Sequence, residues 1–242
     1  MRKILNTVIL GIICAVLGTL NAAHVSAASN ILDARQQNIV AIAALTAKGD
    51  LGKLSGVLNQ GLQSGLTVNE TKEVLVQMYA YCGFPRSLNA LNTFMNVIQD
   101  RRERGRGLLD IQGRDASPLP ADTTLLEIGT ANQTKLVGAP VSGAIYSFAP
   151  AIDKFLKEHL FADIFGRDIL DFQARELATI GALAAMDGVE SQLQAHFNMG
   201  LNTGLSEQQL QGVIATLKNK VGTAEANRSQ AVLNLVLQAR NK

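Results

Sequence analysis

Apolar residues recur at spacings of three and four from residue 31 to residue 104 and again from residue 151 onward, with many Ala and Leu and few β-branched runs. That spacing stacks apolar side chains on one face of a 3.6-residue helix, so both stretches predict α-helices rather than strands. Between them, residues 105–150 lose the period and hold four of the five prolines among many Gly, Ser and Thr. This texture predicts a long irregular connector draped over the helices. The start of the chain has a third pattern. Arg2 and Lys3 precede an apolar run over 4–20, followed by "NAAHVSAAS" with Val25 and Ala27 at cleavage-site spacing. The pattern predicts a secretory signal peptide over 1–27, hence an exported protein, periplasmic or secreted. Cys14 lies inside the apolar run and not after it, where a lipoprotein acceptor would stand.

The two helical stretches repeat one another. At an offset of 139, "GLQSGLT" (61–67) falls on "GLNTGLS" (200–206), Gly49 on Gly188, Leu54 on Leu193, Val74 on Val213 and Gly83 on Gly222. Both copies carry a capping box after the Gly-Leu pair, Thr67 with Glu70 and Ser206 with Gln209, so a helix should start there twice. The expected organisation is all-α: a first repeat over 28–104, a linker over 105–150 and a second repeat over 151–242. The break in "YCGFPRSLNAL" (81–91) belongs to the unit, because Gly83 has its counterpart in Gly222. Gly lets the chain leave helical geometry there, and Pro85 can open the next helix.

Composition narrows the function classes. Cleavage after Ala27 would remove Arg2 and Lys3 from 22 basic residues, leaving 20 against 20 acidic ones. A neutral protein has no electrostatic footprint for nucleic acid or for an anionic membrane. Cleavage would also remove one of the two cysteines, leaving Cys82 without an internal disulfide partner. His159 and His196 would be the remaining histidines, on different helices without ligand spacing, so neither a metal nor another cofactor is expected. Short Ala-rich helices with little charge leave apolar faces uncovered, which predicts a homo-oligomer.

"EVLVQMYAYCGFPRSLNAL" (73–91), with its Tyr-x-Gly-x-Pro break, resembles the carboxymuconolactone decarboxylase family. "DIFGRDILDFQARELATIGALAAMDGVESQLQAHFNMGLNTGLSEQQL" (163–210) is similar to the front half of the same domain, with an Arg-Glu pair opening a helix and a His before the Gly-Leu turn. The resemblance implies two tandem all-α domains, an oligomer, and either lactone decarboxylation or alkylhydroperoxidase-type antioxidant chemistry. The departures are as informative. The peroxidase branch uses a Cys-x-x-Cys pair, whereas Cys82 is followed by Gly-Phe-Pro. The second repeat has Gln209 and Gly212 for Glu70 and Glu73; the first has Val57 for His196 and, at the 139 offset, Gln36 for Arg175.

Each copy therefore keeps what the other lost, which predicts one composite site where the repeats face each other. Its candidate catalytic residues are His196, Glu73, Arg175 and Cys82, and its candidate substrate contacts are Arg175, Tyr81, Glu176 and Phe84. His196 with Glu73 would move protons, and Arg175 would clamp a substrate carboxylate. Glu73, Gln77 and Tyr81 share one helical face leading to the break. Each residue also has a plainer reading. His196 can be a packed core histidine, Arg175 an ion-pair partner, Glu70 a capping residue and Cys82 a small apolar side chain. The first function to consider is cofactor-free decarboxylation or isomerisation of a small carboxylated lactone. The second is a peroxidase reaction through a Cys82 sulfenic acid. The third is a non-catalytic binding or assembly module.

Overall fold

The computed structural model describes residues 31–105 and 111–240; the expected signal peptide lies outside them. Among the described residues all regular structure is helical, with no strand. The first repeat holds α1 (Ala34–Lys48), α2 (Leu51–Gln63), α3 (Val68–Gln77) and α4 (Tyr79–Glu103). The second holds α8 (Phe172–Ala184), α9 (Glu190–Asn202), α10 (Glu207–Lys220) and α11 (Thr223–Arg240). The segment between contains α5 (Leu125–Val137), α6 (Ala144–Phe148), α7 (Pro150–Lys154) and a π-helix (Phe155–Ile164).

α1 and α8 pack against each other at the centre. Asn38 to Ala47 and Ala174 to Ala184 are buried on every face, as expected of helices that others surround. Gly181 sets their spacing, because a Cβ there would stand 2.5 Å from the Val40 carbonyl oxygen. Capping boxes at Thr67–Glu70 and Ser206–Gln209 start α3 and α10 as expected.

The repeat register holds at 139 for α2 and α9 and for the starts of α3 and α10, but slips by one in the central pair. The N-caps Asp33 and Asp171 are 138 residues apart. Ile42 and Ile180 likewise touch the equivalent glycines Gly61 and Gly200. The turn between α8 and α9 absorbs the extra residue. Arg175 therefore corresponds to Gln37, not Gln36, and Glu176 to Asn38.

The break at Gly83 is present, with φ 82° and ψ 159° inside α4. Met78 between α3 and α4 keeps helical angles, so the chain bends at Gly83 itself. Gly222 has no such left-handed angle. The two breaks share a position but not a geometry, and only the first turns a Tyr-Cys-Gly-Phe corner outward.

The connector is not irregular throughout. Residues 112–120 have no regular structure, and Asn69 on α3 holds them, donating from Nδ2 to the Gly113 and Arg114 carbonyls and to Asp115. α5 then forms under a complete Thr124–Glu127 capping box and ends on Gly138 at φ 86°. It lies on the π-helix, where a Cβ on Gly129 would come within 1.7 Å of the Lys157 carbonyl oxygen. Leu136, Leu160, Phe161, Ile164 and Phe165 form a second small core there.

Candidate active site between the repeats

Glu73 on α3 projects from the first repeat into the second. Arg167, in the turn before α8, donates to both its oxygens, from Nε at 2.9 and 3.1 Å and from Nη2 at 2.7 Å. Arg175 Nη2 approaches the same carboxylate at 3.3 Å. Arg175 is fully buried, and its charge is held on every side. Nη1 donates to Gln77 Oε1 at 3.0 Å and Nη2 to the Arg167 carbonyl at 2.7 Å. The Phe165 ring lies 5.7 Å from the guanidinium carbon. Burial lowers the Arg175 pKa, and the neighbouring Glu73 opposes that shift. Gln77 completes the join by donating to the Arg175 carbonyl at 3.0 Å and to Thr179 Oγ1 at 2.9 Å. A buried charge is tolerable only when paired and hydrogen-bonded in this way.

The fork expected to clamp a substrate carboxylate is therefore occupied within the protein. One nitrogen of Arg175, the buried Nε, has no protein partner. Glu73 spends both oxygens on guanidinium groups.

His196 pairs with Glu176 instead of Glu73. Its Nδ1 lies 2.8 Å from Glu176 Oε2, a contact buried from solvent. The Tyr81 ring meets the imidazole edge-on at a centroid distance of 5.8 Å. Such a carboxylate fixes the ring and its tautomer, leaving the second nitrogen for chemistry. The Tyr81 hydroxyl is buried, and its pKa is raised well above the ordinary tyrosine value, first by burial and then by the nearby Glu176 charge. The neighbouring Thr179 and Arg175 pull the other way. Three buried polar atoms here lack a protein partner: Tyr81 Oη, Glu176 Oε1 and Arg175 Nε. The first is a donor or acceptor, the second an acceptor and the third a donor.

The structure thus gathers Glu73, Gln77 and Tyr81 from the first repeat with Arg175, Glu176, Thr179 and His196 from the second. Cys82 and Phe84 are not part of this cluster. Cys82 Sγ donates to the Met78 carbonyl at 3.1 Å, and burial raises its pKa against a smaller opposing effect of Arg86. Phe84 is exposed and stacks on Tyr79 at 4.4 Å, away from the buried network. Glu70 is bound to its own capping box and to Arg35. The pseudo-equivalent place around Gly212 lacks the carboxylate and the histidine. Leu32 sits over Gly212, Val57 stands for His196, and Lys220 donates to Asn38 and Gln60 at 2.7 and 3.0 Å.

A duplicated helical protein with one buried cluster of polar and ionisable side chains drawn from both repeats is the class that this fold and site define. The chain belongs to the carboxymuconolactone decarboxylase family, whose profile matches residues 16–94 and 150–234. The first match begins inside the stretch expected as a signal peptide, and the two together take in every residue of the cluster. No curated protein matches the chain.

Proposed function

We propose that the protein performs cofactor-free acid/base chemistry, decarboxylation or isomerisation, on a small carboxylated lactone-type substrate at the His196–Glu176–Tyr81 cluster. The observation that carries this reading is the buried His196–Glu176 hydrogen bond, edge-on to Tyr81. His196, oriented by Glu176, serves as general acid and base. The Tyr81 hydroxyl and Arg175 Nε, both buried donors without protein acceptors, suit an oxygen on which negative charge develops. Arg167, Glu73 and Gln77 hold Arg175 in place and do not move protons. The signal-like pattern over 1–27 supports export, and exposed apolar stripes on the helices support a homo-oligomer.

The peroxidase alternative needs a Cys82 thiolate. A thiol whose proton is bonded to a carbonyl and whose pKa burial raises is poorly prepared for that role. Turnover of purified protein against lactones, cyclic carboxylic acids and organic hydroperoxides tests both readings. His196→Ala should lower lactone turnover by about a hundredfold or more, with Cys82→Ala near wild type. Peroxide turnover that Cys82→Ala abolishes and His196→Ala spares would overturn the assignment.

A further inference from the structure

We propose that the cleft between α5 and the start of α8 is a binding site for a small aromatic monocarboxylate. It goes beyond the catalytic reading and does not depend on it. The cleft has a volume of about 510 Å³, within the usual range for small-molecule sites. Leu119, Ile128, Leu170 and Phe172 give it apolar walls, and Lys135 and Arg167 bring positive charge.

The charges in the cleft fix the sign of the ligand. Asp168 is consumed by Arg114 and by the Ser117 amide and hydroxyl, at 3.0, 2.9 and 2.8 Å. These bonds hold its carboxyl well below the usual range. Asp171 caps α8 through the Ala174 amide at 2.8 Å, where the helix N-terminus offsets a negative charge. Arg167 engages Glu73 through two of its three nitrogens and shares that one carboxylate with the buried Arg175, so the pairing leaves no negative charge over for the cleft. Lys135 remains. Its Nζ sits 5.1 Å from the centre of the Phe172 ring and makes no ion pair within 4 Å among the described residues. One cation over an aromatic wall is thus left unbalanced. A flat ring carrying one carboxylate matches this: the ring lies along Phe172, Leu170 and Ile128, and the carboxylate meets Lys135. Glycine at 166 keeps the floor closed, since Leu119 already lies 2.9 Å from where its Cβ would stand.

The probe is 2-naphthoate, whose fluorescence can be followed without interference because the protein has no tryptophan. Saturable binding is expected, weakened about tenfold by Lys135→Gln, the size of one charged hydrogen bond. Lys135→Arg should restore it, and neutral 2-naphthalenemethanol should bind about tenfold more weakly than the acid. Phe172→Leu, a second and independent change to the cleft wall, should also weaken binding, while His196→Ala should leave it unchanged. Absence of saturable binding would overturn the proposal, as would equal affinity for Lys135→Gln or for the neutral analogue. Loss of binding in His196→Ala alone would place the ligand in the catalytic cluster and overturn it as well, without touching the acid/base reading.

Discussion

Glu73 balances two guanidinium groups with one carboxylate, so its loss should be felt mainly as instability. Glu73→Ala leaves Arg175 buried and uncompensated, which should cost about 3–5 kcal/mol in urea unfolding at neutral pH. Arg167→Ala should cost far less, about 1 kcal/mol, because that side chain is nearly half exposed and screened by water. Equal costs would mean that Arg175 is held by something other than Glu73. Tyr81 gives a pH prediction. Its folded pKa is raised above the ordinary value of 10.0, so the unfolded chain releases this proton first as the pH climbs. Stability should therefore fall with rising pH above about 10. An ultraviolet titration should show one of the three tyrosines ionising only as the protein unfolds, and Tyr81→Phe should remove that late step. Which of the residues could be read in advance follows from distance along the chain. His196, Glu176, Arg175, Glu73 and Tyr81 stand at fixed places within a repeat, so their type and spacing single them out. Arg167 precedes the "ILD" with which the shared register begins and lies 94 residues from its partner, and no local pattern marks such a contact. The expected Glu73–His196 partnership gave way to Glu176–His196 because α8 and α9 are neighbours, and their side chains meet within one repeat.

At the scale of elements, backbone approach rather than side-chain packing decides where helices sit. Gly129 lets α5 lie directly on the Lys157 carbonyl of the π-helix, and no rotamer change can make room for a methyl group there. Gly129→Ala should therefore undock α5 and open the small core around Leu136 and Phe161 while the central pair stays folded. Limited proteolysis should show new cleavage in 111–143, with helix content from the repeats kept; full resistance to protease would show that α5 is anchored elsewhere. α5 was legible in the sequence, since Thr124, Glu127 and Gly138 are a start box and a left-handed stop. The surrounding Pro, Gly and Ser residues outweighed those signals and made the whole segment read as irregular. The duplication was legible for the opposite reason, because Gly-Leu turns and capping boxes repeat at a fixed interval. The one-residue slip in the central pair escaped because it falls in the α8–α9 turn, whereas the "ILD" that opens both helices, at 31–33 and 169–171, carries the true register. The π-helix has no sequence signature of its own. Its widened turn depends on α5, whose Asn132 donates to the Phe161 carbonyl at 2.8 Å.

For the whole molecule, what remains exposed is as specific as what is buried. Phe84, Leu88 and Met95 form an open stripe down α4, at helical spacing. Ile145, Phe148, Ile152 and Phe155 form another across α6, α7 and the π-helix, with Phe148 87% exposed. Tyr79 links the two, stacked on Phe84 and 5.6 Å from the ring of His159, one turn beyond Phe155. Scattered apolar residues need no explanation, but two exposed stripes linked through an aromatic contact are the kind of surface that association covers. Burying it should stabilise the assembly by roughly 25 cal/mol per Å² of apolar area removed from water. The patch also lies beside the Tyr81–Cys82–Gly83 corner, so association at this face would wall off the approach to the His196–Glu176–Tyr81 cluster proposed as the active site. Sedimentation of the wild type at micromolar concentration should show an oligomer, and Phe148→Glu with Phe155→Glu should dissociate it without loss of helix content. Neither residue touches the buried network, so a fall in turnover that follows dissociation would show that the closed site depends on the neighbouring subunit. A wild type that sediments as a monomer would leave the stripes unexplained and end the oligomer proposal.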